Sequence, residues 1–139
     1  MEASLNSYLK DKFSQPGVDM RQYSALELAY IGDCVFDMVV RSYLVNAGNV
    51  PVAKLHNKAT SMVSAKAQMA GFNQIKDMLT EEEFAVYKRG RNAKPHSKAK
   101  NASFDEYLVA TGFEALIGWL YLQDKWDRIV ELLGYVRYK

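Results

Sequence analysis

The stretch that decides the fold runs from residue 24 to residue 48 and reads SALELAYIGDCVFDMVVRSYLVNAG. Its apolar residues recur nearly all the way round a helical projection, which predicts one long helix inside a core or an interface. Its charged residues are Glu27, Asp33, Asp37 and Arg41. Helical periodicity places them on one stripe with Tyr30 and Cys34. A carboxylate in so apolar a helix should be paired, hydrogen-bonded or bound to metal, and Asp33 is the first to explain.

Length and composition favour one compact domain over residues 1–139, with a core at about 20–133. The single cysteine, Cys34, permits neither an internal disulfide nor a cysteine zinc site, and we expect it to be a small buried residue rather than a nucleophile. The N-terminus lacks a signal-peptide pattern, and no apolar run reaches the roughly 20 residues of a membrane span. We therefore expect a cytoplasmic protein with no membrane partner.

A basic segment, KRGRNAKPHSKAKN, spans residues 88–101. It contains six of the 18 Lys and Arg residues and none of the 16 Asp and Glu residues, so the rest of the chain is net negative. This asymmetry indicates a local anionic partner. Gly90 and Pro95 favour a mobile arm; a merely solvated loop is the alternative. The candidate RNA-binding residues are Lys88, Arg89, Arg91, Lys94, His96, Lys98 and Lys100.

Helical periodicity and turn residues predict an all-α chain with six or seven helices. The predicted helices cover residues 4–14, 24–48, 52–71, 80–89, 103–122 and 125–136, with a link at 72–79 and a stop at Gly90. Three S/T-x-x-E capping boxes mark helix starts, at Ser24, Thr80 and Ser103. Asp124 is the expected cap of the last helix.

A second apolar helix, YLVATGFEALIGWLY, spans residues 107–121 and carries Glu114 as its isolated carboxylate. The economical arrangement places Asp33 opposite Glu114 across a helix contact. Two carboxylates this close repel unless a proton or cation lies between them, and oxygen ligands favour Mg²⁺ or Mn²⁺. Alternatively, one or both acids cap a helix or pair with Arg41 or a lysine.

Both segments resemble known motifs. The segment LELAYIGDCVFD is similar to the ribonuclease III signature, an apolar helix bearing L-G-D, and ATGFEALIGWLYL is similar to that family's A-D-T-F-E-A-L-I-G-A motif. The KRGRNAK, KLHNKAT and AKAQ runs resemble Mini-ribonuclease III, a subfamily that has the nuclease domain without a double-stranded-RNA-binding domain. The resemblance covers residues 20 to 133 and implies a ribonuclease III-like helical endonuclease domain.

The resemblance assigns the catalytic, metal-binding pair to Asp33 and Glu114. Three further acidic positions of the longer enzymes are absent here. They fall on Leu26, Ala29 and Thr111. Asp37 is a candidate supporting residue for the metal site, with pairing to Arg41 as the alternative, and Thr111 is a second candidate. The sparser acidic cluster leaves the metal count open.

The activity implied by the resemblance is Mg²⁺-dependent endonucleolytic hydrolysis of double-stranded RNA, with Mn²⁺ as a substitute and with 5′-phosphate and 3′-hydroxyl products. The family acts as a homodimer, and the signature aromatic at the interface falls on Tyr30, whose alternative is an intramolecular core position. Maturation of precursor 23S ribosomal RNA, and hence ribosome biogenesis, is the implied role. The alternative function is a non-catalytic, RNA-binding ribosome-assembly factor. His56 is expected to be structural or adjacent to RNA.

Overall fold

A computed structural model describes residues 4–93 and 103–135. Within these ranges the chain forms seven α-helices and two 3₁₀ turns and no strand, which confirms the all-α prediction. The helices are α1 (Leu5–Lys12), α2 (Ala25–Ala47), α3 (Val52–Val63), α4 (Ala65–Ile75), α5 (Glu81–Arg91), α6 (Phe104–Leu122) and α7 (Trp126–Tyr135). The 3₁₀ turns are Met20–Gln22 and Lys76–Met78.

Helix α6 is the centre of the fold. It packs on α2, α4, α5 and α7, and every residue from Ala110 to Tyr121 except Glu114 is buried. Its neighbour α2 buries one face in the core of the single chain, and its other apolar face is open to solvent. The buried face consists of Leu28, Ala29, Gly32, Val35, Phe36 and Val40. The opposite face exposes Tyr30, Met38 and Val45.

The segment predicted as one helix over 52–71 is broken at Ser64. Ser64 has an extended backbone (φ −61°, ψ 157°) and ends α3 while capping α4, because its hydroxyl accepts a hydrogen bond from the Ala67 N–H at 3.2 Å. The predicted link at 72–79 is also helical as far as Ile75. No Gly or Pro marks the break, which explains why the periodicity alone ran through it.

Capping chemistry sets the other helix starts. The capping boxes at Ser24, Thr80 and Ser103 all form, each with its glutamate partner three residues on. Helix α5 does not stop at Gly90 but continues through Arg91. The Asp124 carboxylate accepts hydrogen bonds from the hydroxyls of Ser4 and Ser7, so it joins α1 to the end of α6.

A buried ion pair joins α5 to α7. Arg128 donates to both carboxylate oxygens of Glu83, at 2.9 and 2.8 Å, and to the main-chain oxygen of Met78 at 2.9 Å. The Arg128 hydrogen bonds lower the pKa of Glu83 against the opposing effect of burial. This bidentate contact holds α7 against the opening turn of α5.

None of the helices in the described ranges has the length and apolar character needed to cross a membrane.

Candidate metal centre

Two glycines let α2 and α6 cross with their backbones in contact. A Cβ atom at Gly32 would lie 1.8 Å from the main-chain oxygen of Glu114, and one at Gly118 would lie 1.9 Å from that of Leu28. Neither position can hold a larger side chain unless the helices separate. The crossing therefore brings the residue after Gly32, which is Asp33, to the segment that carries Glu114.

Asp33 and Glu114 face each other at this crossing, with their carboxyl groups within hydrogen-bonding distance. Glu114 is half-buried in the groove, whereas Asp33 is exposed at its rim. Burial raises the pKa of Glu114 well above its usual range, and the hydrogen bond and charge of Asp33 raise it further. The pair predicted from the two motifs is thus brought together by the fold, and the carboxylate of Asp33 remains open to solvent.

Gln68, on the first turn of α4, is the third polar side chain at the crossing. Its Nε2 donates to Glu114 Oε2 at 3.1 Å and to the main-chain oxygen of Val63 at 3.0 Å. The side chain is buried, and its Oε1 has no hydrogen-bond partner among the described residues. The AKAQ run predicted no role for Gln68. The available signal was a lone amide on the buried face of α4, which also carries Gly71, Phe72 and Ile75.

The donor set fits a hard divalent cation. Two carboxylates that meet in a partly buried groove repel unless a proton or cation lies between them. Carboxylate oxygens are ligands that Mg²⁺ and Mn²⁺ take in proteins. The set is sparse, because the described residues contain no group of three or more His, Cys, Asp or Glu side chains placed to hold a metal ion.

The two candidate supporting residues have other partners. Asp37 pairs with Arg41 at 3.0 Å, which is the alternative given above. The Thr111 hydroxyl donates to the main-chain oxygen of Tyr107 at 3.0 Å within α6. Their participation in the metal site stays a prediction. Cys34 is exposed, so the expectation that it is buried is wrong: it lies beside Asp33 on the open side of α2.

Tyr30 is 84% exposed, so the alternative of an intramolecular core position is wrong. It lies on the open face of α2, one turn before Asp33, and its role at a dimer interface stays a prediction. His56 is also exposed, on α3.

Lys88, Arg89 and Arg91 belong to the last turn of α5, so the predicted mobile arm does not begin at Lys88. Arg89 donates to the main-chain oxygen of Tyr23 at 3.0 Å, and the Arg91 guanidinium lies 5.8 Å from the centre of the Tyr87 ring. Lys94, His96, Lys98 and Lys100 lie outside the described residues.

The basic turn packs on α6 through Gly90. A Cβ atom at Gly90 would lie 2.7 Å from Ala115 Cβ and 2.9 Å from Gly112 Cα. This close approach fixes the C-terminal end of α5 on the same helix that carries Glu114.

The chain is similar to known proteins over most of its length. The Ribonuclease III domain family matches residues 26–125. The Mini-ribonuclease 3 of Enterococcus faecalis is 47% identical over 119 residues, which cover 84% of this chain and 90% of that protein. The Mini-ribonuclease 3 of Clostridium tetani is 42% identical over 130 residues, which cover 93% of this chain and 85% of that protein.

A crystal structure of a Fusobacterium nucleatum protein has the same fold, with a TM-score of 0.78 at 32% identity over 86% of this chain and 96% of the other. The family match covers more than half of the chain, and the two relatives are similar over nearly their full length. The resemblance inferred from the two helix motifs is therefore confirmed. The chain belongs to the ribonuclease III family of endoribonucleases and, within it, to the Mini-ribonuclease 3 group.

Proposed function

We propose that this protein is a Mg²⁺-dependent endoribonuclease that cleaves double-stranded RNA as a homodimer and matures precursor 23S ribosomal RNA. The single observation that carries the proposal is the meeting of Asp33 and Glu114 at the α2–α6 crossing. Two helices that are distant in sequence each bring one acid to a groove open to solvent on one side. That arrangement suits metal-assisted chemistry on a large polyanion better than a purely structural role, because two like charges do not stabilise each other without a cation.

Asp33 and Glu114 are the residues that would hold the metal. When bound, Mg²⁺ supplies an activated water and stabilises negative charge on the scissile phosphate. Glu114 is fixed from inside the fold by Gln68, and Asp33 offers its carboxylate at the rim, where a phosphate can approach. The products would have 5′-phosphate and 3′-hydroxyl ends, as the family resemblance implies.

The basic turn of α5 supports an RNA substrate. Lys88, Arg89 and Arg91 lie on the turn that Gly90 packs against α6, the helix that carries Glu114, and the basic segment continues in sequence beyond Ala93. Phosphate contacts of this kind supply affinity without sequence information. Duplex RNA is read largely by shape across its shallow minor groove, which such contacts can follow.

The open face of α2 supports the homodimer. Tyr30, Met38 and Val45 are between 56% and 84% exposed on one helix, an unusual amount of apolar surface beside a catalytic centre. A two-fold partner on this face would bring two centres to one duplex, so that each cuts one strand. The proposal of a ribosomal RNA substrate rests on the Mini-ribonuclease resemblance alone.

The test incubates the purified protein with a long RNA duplex, with and without Mg²⁺, beside Asp33→Asn. Asp11→Asn is the matched control, because it neutralises an exposed acid on α1, outside the α2–α6 crossing. We expect metal-dependent cleavage by the wild type and Asp11→Asn and none by Asp33→Asn. Intact RNA with retained binding by the wild type would contradict the enzyme and favour the non-catalytic assembly factor.

A further inference from the structure

We infer that Gln68 is a positioning residue that holds Glu114 in the orientation needed for metal binding. The inference rests on the proposed function, since it concerns the same carboxylate pair. Gln68 does not need to touch the RNA or the reacting phosphate. It would act through Glu114, by fixing which oxygens of that carboxylate remain available at the groove.

The hydrogen-bond partners of Gln68 decide which end of its amide faces Glu114. One partner is the Val63 main-chain carbonyl, which can only accept, and the other is a Glu114 carboxyl oxygen. The NH₂ group is the end that satisfies both acceptors at once, so the amide orientation follows from its surroundings. One oxygen of Glu114 is thereby occupied by a donor from inside the protein, and the other is left for the Asp33 side.

The unpartnered oxygen of the same amide is informative. Gln68 is 3% exposed, and its Oε1 has no hydrogen-bond partner among the described residues. A buried polar atom without a partner destabilises a fold, and an apolar side chain of similar length would avoid this cost. The amide at this position is therefore better explained by what its NH₂ group does for Glu114 than by packing.

The break between α3 and α4 fixes Gln68 in place. Val63 is the last residue of α3, and Ser64 caps α4, so the carbonyl that Gln68 contacts is one that a continuous helix would have used itself. The side chain is thus held at both ends, by a helix terminus and by the carboxylate. A restrained donor of this kind keeps Glu114 in one orientation before metal binds.

The experiment measures Mn²⁺ affinity by electron paramagnetic resonance, at a temperature where all variants are folded by circular dichroism. Gln68→Met keeps the length and removes the donor. Gln123→Met is the matched control, because Gln123 Nε2 also donates to a main-chain oxygen, that of Trp119 at 2.9 Å, at the far end of α6. Gln68→Asn is a second variant that keeps an amide but is one methylene too short to reach both partners.

We expect both Gln68 variants to bind Mn²⁺ about 10- to 100-fold more weakly than the wild type, as for other residues that orient metal ligands, with Gln123→Met unchanged. Weaker binding that is specific to Gln68 separates positioning from a general loss of stability, which Gln123→Met would share. If both Gln68 variants bound Mn²⁺ with an affinity within about two-fold of the wild type, the inference would be overturned and the proposed function would stand. A wild type that bound no Mn²⁺ would overturn the metal site itself, and this inference with it.

Discussion

Gly32 lies so close to Glu114 that a Cβ atom at Gly32 would be 1.8 Å from the Glu114 main-chain oxygen. The geometry of the carboxylate pair is therefore set by backbone contact rather than by side-chain packing. Asp33 follows Gly32 directly, so the distance between the two carboxylates changes whenever the distance between α2 and α6 changes. A change that separates α2 from α6 would damage stability and the metal centre together.

Gly32→Ala tests this coupling. The added methyl group meets main-chain atoms that cannot rotate away, so we expect the free energy of unfolding to fall by at least about 2 kcal/mol, with loss of Mn²⁺ binding. Gly134→Ala is the control, because nothing lies within 4 Å of its added Cβ and alanine favours a helix. Urea denaturation measures the free energy of unfolding of both variants, and electron paramagnetic resonance measures their Mn²⁺ binding. A Gly32→Ala protein as stable as wild type would contradict the close crossing.

Glu114 gives the metal-free protein a defined pH dependence. Its pKa is raised from 4.5 to about 8 by burial and by Asp33, so the folded state binds a proton more tightly than the unfolded state does. Stability contributed by that proton is fully present below about pH 4.5 and is lost as the pH rises towards about 8.

Glu114→Gln removes this titration. We expect the variant to lose less stability than the wild type between pH 5 and pH 8 in the presence of a chelator, measured by urea denaturation at each pH. Mg²⁺ should stabilise the wild type at pH 8 and leave Glu114→Gln nearly unaffected. Parallel pH profiles for the two proteins would contradict the contact between Asp33 and Glu114.

The Glu83–Arg128 pair should affect stability without affecting the metal centre. Arg128→Met leaves Glu83, which is 7% exposed, without its bidentate partner, so we expect a loss of about 2–4 kcal/mol in the free energy of unfolding near pH 7. The pKa of Glu83 is lowered by Arg128, so the contribution of the pair is present at neutral pH and fades as the pH falls below the usual glutamate range.

Urea denaturation at pH 7 and pH 4 measures this difference. The Mn²⁺ affinity of the folded Arg128→Met protein should equal that of the wild type despite its lower stability. If Arg128→Met weakened Mn²⁺ binding while the protein stayed folded, the separation between the α5–α7 contact and the metal centre would be wrong.

Arg89→Gln with Arg91→Gln tests the basic turn of α5. If both side chains contact phosphates, the slope of log K against log salt concentration should flatten by about 1.8, since each contact contributes roughly 0.9. Lys125→Gln is the control, because Lys125 is an exposed cation that follows the C-terminal end of α6. Filter binding of an RNA duplex across a salt series measures the slopes. An unchanged slope would remove the basic turn from the RNA interface.

Tyr30→Asp tests the open face of α2. In the proposed homodimer, a charge at residue 30 would face its own copy across the two-fold interface, so we expect the variant to be a folded monomer. Tyr8→Asp, at an exposed tyrosine on α1, is the control. Sedimentation velocity measures the mass of each. A Tyr30→Asp protein that kept the wild-type mass would place the interface elsewhere.

Local signals in the sequence predicted much of this fold. The three capping boxes formed where the S/T-x-x-E spacing placed them, because each satisfies helix N–H groups with residues only three apart. The pairing of Asp33 with Glu114 was also predicted, because each is an acid isolated in an apolar helix; the structure adds that Gly32 and Gly118 make the close crossing.

What the sequence did not predict depends on long-range contacts. The break at Ser64 has no Gly or Pro, and the amide of Gln68 gains its meaning only from Glu114, 46 residues away. The exposure of Cys34 depends on which face of α2 meets α6, and an apolar surface kept for a partner has the same periodicity as one kept for a core.

The most direct test of the central claim is anomalous diffraction from crystals grown with Mn²⁺. We expect an anomalous peak at coordination distance, about 2 Å, from carboxylate oxygens of both Asp33 and Glu114, with Gln68 still donating to Glu114. A Mn²⁺ ion held by other residues would contradict the metal site. Asp33 and Glu114 in contact with no metal between them at millimolar Mn²⁺ would contradict it as well.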